Sequence, residues 1–192
     1  FFLPAAGDDG TSMGAALYVS HVLHQVPKDT ATVFTDYLGL SYSQDEVEAE
    51  LKKAGLRWET CSDAPTRAAH MLAEGKIIGW FQGASEFGPR ALGNRSILAD
   101  PRRPEMKDVL NARVKFREPF RPFAPSCLEE ACGELFDQKD PSPFMLRVYQ
   151  TRQDRLHEMG SVTHVDGGAR VQTVTPQSNA RYYKLIEAFG KE

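Results

Sequence analysis

No apolar run in the 192 residues approaches the ~20 that a bilayer-spanning helix needs. The start shows no charged-then-apolar leader pattern either, so neither a membrane span nor a signal peptide is expected. There is no internal repeat, no low-complexity tract and no strong charge excess: 23 Lys and Arg stand against 26 Asp and Glu, a net charge of −3. Cysteine is scarce, and the three present, Cys61, Cys127 and Cys132, are an odd number without zinc-type spacing. No second pair exists to complete a tetrahedral site. They read as buried free thiols in a reducing cytoplasm. The chain opens on Phe1 rather than Met, so it is expected to be processed or cut from something larger.

What is present can fold. With 41% hydrophobic residues a substantial core is expected. Residues 1–10 suggest an apolar strand-like start and a Gly7-Asp8-Asp9-Gly10 turn, followed by a helix from Thr11 or Ser12 to about Gln25. Ser43 and Glu46 form a capping box for a helix that Gly55 ends. Leu56–Cys61 is a short strand candidate, and Asp63, Pro65 and Gly75 delimit the next helix. Lys76–Phe81 reads as a buried strand and Ile97–Leu98 as a short one. A helix is expected over Pro104–Asn111, strands over Phe144–Tyr149 and Val171–Val174, and a final amphipathic helix over Asn179–Phe189. Helices and strands interleave, so the class is mixed α and β.

The chemistry concentrates in Gly83–Ser126, where nine Lys and Arg stand against five Asp and Glu in an otherwise slightly acidic chain. Guanidinium groups present planar donor forks matched to phosphate and carboxylate. In Phe87–Ser96, Gly88 and Gly93 allow backbone amides to approach a ligand, while Arg90, Asn94, Arg95 and Ser96 offer side-chain donors. If Lys115-Phe116-Arg117 is extended, both cations fall on one face and Phe116 packs inward. Two cations converging on one point would stabilise a triphosphate and the charge that develops when it is attacked. His164, Asp166 and Arg170 form a further group, read either as a base with an orienting acid or as a β-turn at 166–168, with Arg170 the favoured anion contact.

Taken together, EFGPRALGNRSILADPR at Glu86–Arg102, VKFREPFRPFAPS at Val114–Ser126, THVDGGARVQTV at Thr163–Val174 and PAAGDDG at Pro4–Gly10 carry a resemblance to a known family. The sequence resembles the C-terminal region of nodulation-type and antibiotic-tailoring O-carbamoyltransferases. The resemblance implies a YrdC-like domain over residues 43–192, with a twisted mixed sheet flanked by helices. Residues 28–42 would be a linker, and residues 1–27 a remnant of an actin/hsp70-like carbamoyl-transfer domain. It implies ATP, magnesium and carbamoyl phosphate as ligands and carbamoyladenylate as the product of this domain. The carbamoyl group would then pass to a hydroxyl of an acceptor such as a glycan or an antibiotic. Lys115 and Arg117 match the family's phosphate-holding K-x-R element and take the catalytic role. Arg90, Asn94, Arg95, Ser96, Arg121 and Arg170 are the expected cofactor contacts. Asp8 matches an acid that helps hold Fe2+ or another divalent metal.

The chain departs from the family pattern at three points. Ala84 stands where arginine is usual, Gly168 replaces a common threonine, and an Asn-Thr-Ser-Phe-Asn segment would follow Glu192. The polypeptide alone is therefore expected to turn over poorly or not at all. An RNA-binding module with a basic groove is the alternative reading. The net charge of −3 and the lack of stacking aromatics beside the basic run speak against it. No membrane partner is expected, and a homodimer stays open.

Overall fold

A computed structural model describes residues 3–29 and 35–192. The class is mixed α and β, as expected. Phe1 and Phe2 of the expected first strand, and 30–34 of the expected linker, lie outside the described residues. Residues 4–7 form a turn rather than a strand, with Pro4 and Ala5 buried. Helix α1 (Thr11–Tyr18) follows and widens into a π-type turn at Val19–Leu23. It buries no residue, and Tyr18, Val22 and Leu23 are exposed.

Local signals place the next elements. Helix α2 (Gln44–Lys53) is opened by the capping box: the Ser43 amide donates to Glu46 Oε2 at 2.8 Å, and the Glu46 amide donates to Ser43 Oγ at 3.3 Å. Such a cap contributes about 1 kcal/mol. Helix α3 (Ala64–Ala73) has Asp63 as its cap and Pro65 in its first turn. Leu56–Cys61 is not a strand. Its apolar residues suit one, yet no neighbouring strand accepts its backbone ladder, and Leu56 and Trp58 stay exposed.

Strand β1 (Ile78–Phe81) pairs antiparallel with β2 (Arg95–Leu98), and Phe81 lies opposite Arg95. β1 is half-buried rather than enclosed: Trp80 is inside, whereas Phe81 is 55% exposed beneath the Arg95 guanidinium. Helix α4 (Met106–Leu110) continues into a π-type turn at Asn111–Lys115. Strand β3 (Ser126–Leu128) leads to the short helix α5 (Cys132–Leu135), then to β4 (Arg147–Gln150) and β5 (Gly168–Val174). β5 is the middle of a second sheet, parallel to β3 and antiparallel to β4. A central strand covered on both faces loses the polar alternation of an edge strand, and six of its seven residues are buried. Helix α6 (Pro176–Phe189) closes the described chain, capped by Thr175 and kinked at Asn179.

Two apolar clusters hold these parts. Trp80, Leu72, Ala68 and Leu185 join β1, α3 and α6. Cys127, Phe136, Tyr149, Met159, Ala169 and Val171 hold the three-stranded sheet. Each large side chain so buried contributes roughly 1.5–3 kcal/mol. An apolar cavity of about 820 Å3 runs between the clusters, lined by Leu98, Leu110, Phe123, Met159, Tyr182 and Leu185 among others. None of the three cysteines is in a disulfide, and Cys127 and Cys132 are buried. Among the described residues no helix is long and apolar enough to cross a membrane.

Candidate functional site

β5 has two characters. Ala169 and Val171 face the apolar cluster, while Arg170 and Gln172 alternate to the other side. There they meet the loop between β1 and β2. Gln172 Nε2 donates to the Leu92 carbonyl at 2.9 Å, and Gln172 Oε1 accepts from Ser126 Oγ at 2.8 Å. The loop is thereby anchored to the sheet two residues beyond Arg90.

The loop is shaped from within. The Glu86 carboxylate accepts from the amides of Leu92 at 2.7 Å, Asn94 at 2.8 Å and Arg95 at 3.3 Å. Ser96 Oγ accepts the Gly93 amide at 3.0 Å. Gly93 takes a φ of +105°, and a Cβ there would lie 2.3 Å from the Tyr182 ring. Gly88, at φ +116°, packs against Ala5 in the same way. The amides expected to cradle a ligand therefore hold an internal carboxylate.

Below the loop is a buried amide network. Gln82 Nε2 donates to Asn94 Oδ1 at 2.8 Å and to Asn179 Oδ1 at 2.7 Å. Asn179 Nδ2 donates to Asn94 Oδ1 at 2.9 Å and to the Tyr37 hydroxyl at 3.1 Å. Tyr37 in turn donates to the Leu92 carbonyl at 2.9 Å. The kink in α6 serves this network, because Asn179 leaves helical geometry and its Oδ1 also accepts the Tyr182 amide at 3.1 Å. Burial pushes both the Tyr37 and Tyr182 hydroxyls above the ordinary tyrosine range, Tyr182 to about 12.

Against this frame the expected contacts separate. Asn94 is buried in the network, with Nδ2 donating to the Ala84 carbonyl at 2.7 Å. Arg95 stacks on Phe81 with its guanidinium carbon 3.6 Å from the ring centroid. It donates to the carbonyls of Gln82, Asn94, Gly83 and Leu40 at 2.6 to 3.1 Å. These two residues build the loop. Arg90 and Arg170 do the opposite. The Nε of each is buried without a partner, and no ion pair among the described residues neutralises either. Loss of water on burial, followed by the nearby Arg90 charge, holds Arg170 below the usual arginine range. Two half-buried guanidinium groups, each with an unpartnered buried Nε and no ion pair among the described residues, form an arrangement that an anion would complete.

Lys115-Phe116-Arg117 is not extended. Lys115 ends the π-type turn, and Phe116 adopts left-handed φ/ψ of 48° and 52° and is 83% exposed. The reason is Asn111, whose carbonyl accepts the amides of both Phe116 and Arg117 and so stops the helix with a left-handed cap. Its side chain, 1% exposed, gathers the following loop. Nδ2 donates to the carbonyls of Pro119 and Arg121, and Oδ1 accepts Arg117 Nε at 2.7 Å. Arg117 also lies over Phe123. Lys115 is exposed and has no ion pair among the described residues, and Arg121 pairs with Glu118 at 2.9 Å. No hydrogen bond or ion pair among the described residues joins this loop to Arg90.

Asp166 caps its own turn by accepting the Gly168 amide at 2.9 Å, and no hydrogen bond among the described residues joins its side chain to His164. Gly168 is tight: a Cβ there would lie 3.1 Å from both Asp166 and Val148. Asp8 is exposed, and its carbonyl accepts from the Thr11 hydroxyl at 2.6 Å. Among the described residues no three His, Cys, Asp or Glu side chains gather as a metal set. The apolar cavity includes neither Arg90 nor Arg170 in its lining. Glu86, Gln82, Asn179 and Gln172 were not singled out by sequence reasoning. An amide inside the apolar run of β5 was the available signal for Gln172.

Residues 69–192 match the family model described as Carbamoyltransferase C-terminus. The chain is 48% identical over 198 residues to Nodulation protein NolNO of Sinorhizobium fredii (strain NBRC 101917 / NGR234), covering 100% of this chain and 29% of that protein. It is 46% identical over 197 residues to Nodulation protein NolO of Bradyrhizobium diazoefficiens, covering 100% of this chain and 36% of that one. Identity to 3'-hydroxymethylcephem-O-carbamoyltransferase of Streptomyces clavuligerus is 35% over 199 residues, covering 100% of this chain and 34% of that enzyme. The chain thus spans about a third of the length of the curated relatives it matches.

Proposed function

The chain belongs to the carbamoyltransferase C-terminus family, and on that premise we propose that it is the donor-activating part of an O-carbamoyltransferase. In this reading residues 43–192 are a YrdC-like domain, and residues 1–27 belong to a preceding actin/hsp70-like domain. Carbamoyl phosphate is hydrolysed to carbamate and phosphate. The carbamate oxygen then attacks the α-phosphorus of ATP, the bond to the β-phosphate oxygen breaks, and carbamoyladenylate and pyrophosphate form. The rest of the protein passes the carbamoyl group to an acceptor hydroxyl.

One observation carries the assignment: Arg90 and Arg170 each hold a buried, unpartnered Nε, no carboxylate among the described residues pairs with either, and the charge of Arg90 is felt at Arg170. Such a pair holds the phosphate oxygens of substrate and leaving group, and it stabilises charge most where water is thin. Lys115, exposed and unpaired, adds a mobile positive charge to the phosphates. Arg117 keeps Nη1 for the same task, while its Nε donates to Asn111 Oδ1 and its Nη2 to the Pro122 carbonyl. Since no metal set gathers among the described residues, no step is assigned to a metal held by this chain.

The test is calorimetric titration of the complete polypeptide with a non-hydrolysable ATP analogue. Arg90→Ala and Arg170→Ala are each expected to weaken binding by about tenfold or more. Lys115→Ala is expected to lower carbamoyl-phosphate-dependent pyrophosphate release. Analogue binding left unchanged by both arginine substitutions overturns the proposal.

A further inference from the structure

We infer that Glu86 and Gln172 are positioning residues for Arg90: Glu86 sets the shape of the loop and Gln172 sets its register on β5. The inference rests on the reading of Arg90 and Arg170 as the anion-holding pair.

Residues 82–94 connect β1 to β2, a span long enough to be mobile if left to itself. Arg90 lies in its middle, and no hydrogen bond or ion pair among the described residues fixes it. The restraint comes from both sides. Glu86 Oε1 reaches across the loop to three backbone donors, on Leu92, Asn94 and Arg95. Converging amides of this kind attract anions. With the carboxylate seated there, the amides are closed to a ligand, and an incoming phosphate is left the arginines alone. Glu86 also meets enough donors that its negative charge does not stand bare beside an anion site.

Gln172 acts on register. It is 2% exposed, and both ends of its amide are committed, to the Leu92 carbonyl and to Ser126 Oγ. Leu92 lies two residues beyond Arg90, and Gln172 lies two residues beyond Arg170 on the same face of the strand. One hydrogen bond therefore fixes the two guanidinium stems relative to each other. The Leu92 carbonyl keeps a second donor in the Tyr37 hydroxyl, so removing the Gln172 donor does not leave it bare.

The experiment is pyrophosphate titration of the complete polypeptide, run as double-mutant cycles against Arg90→Ala. Glu86→Ala and Gln172→Met are each expected to weaken pyrophosphate by about tenfold, through a displaced rather than a missing guanidinium. Glu86→Gln retains a carbonyl oxygen for the three amides and is expected to stay within about threefold of the parent. In the Arg90→Ala background neither Glu86→Ala nor Gln172→Met is expected to cost further affinity. Losses that add to that of Arg90→Ala overturn the inference, as does parental affinity in Gln172→Met when Arg90→Ala binds weakly. If Arg90→Ala itself binds like the parent, the anion-pair reading fails first and is identified as the failure. Should Glu86→Ala not fold, the Gln172→Met cycle decides alone.

Discussion

Replacing Arg170 by methionine is expected to stabilise the ligand-free protein and to remove its response to pyrophosphate. Arg170 is half-buried, its Nε has no acceptor, and the charge it faces is that of Arg90. Methionine keeps an unbranched stem against the same carbon surface while discarding the charge. Relief of a functional strain of this kind is worth about 0.5–2 kcal/mol, towards the lower end here because solvent still screens part of the group. For a chain of this size each kcal/mol moves Tm by roughly 2–4 °C, so a rise of a few degrees is expected without ligand. Pyrophosphate at about 100 times its Kd should stabilise the parent by about 2.7 kcal/mol, or roughly 5–11 °C. The variant should show little of that shift. Thermal melts of both proteins with and without pyrophosphate measure all four values, and the ligand-free gain should shrink with added salt. A variant that melts below the parent without ligand, or keeps the full pyrophosphate shift, refutes the reasoning.

Gly93→Ala should destabilise the protein by about 2–5 kcal/mol, combining a left-handed backbone with overlap onto the buried Tyr182 ring 2.3 Å away. Urea unfolding checks this, and a loss under about 1 kcal/mol would show that the loop repacks freely. Asp36 is 4% exposed, and its carboxyl is raised from 3.8 to about 6, chiefly by burial. The unfolded chain releases that proton near pH 4 and the folded chain near pH 6. The contribution of this group to stability therefore falls as pH rises through that window and stays lost above it. Asp36→Asn should raise the urea midpoint at pH 7.5 and leave it nearly unchanged at pH 4; an equal shift at both would remove burial as the cause.

Much of the frame was legible because it is written locally. The Ser43–Glu46 box, the Asp63 cap with Pro65, and the stop at Gly75 mark α2 and α3 within a few residues. The apolar runs at 78–81 and 171–174 belong to β1 and β5. Failures came where a distant group decides. Leu56–Cys61 has strand-like residues and no strand to pair with. Lys115-Phe116-Arg117 alternates like a strand, yet the Asn111 carbonyl caps the helix there and turns Phe116 outward. Alternation over three residues cannot outweigh two backbone hydrogen bonds and a buried amide that gathers the next loop.

The arginines of the loop sharpen the point. Arg90 and Arg95 are five residues apart in one Gly-rich stretch, and composition treats them alike. Arg95 lies opposite Phe81 in the β1–β2 ladder, so its side chain is held over that ring among the carbonyls at the strand end. Three of them, with the Leu40 carbonyl, accept its donors. Arg90 lies beyond the ladder, where the loop has turned back onto β5, and no acceptor among the described residues takes its Nε. A guanidinium surrounded by acceptors builds structure, whereas one deprived of them is the candidate for an anion contact. The distinction depends on which carbonyls the fold brings within hydrogen-bonding distance. A basic, glycine-punctuated sequence can therefore announce an anion site while leaving open which of its cations will hold the anion.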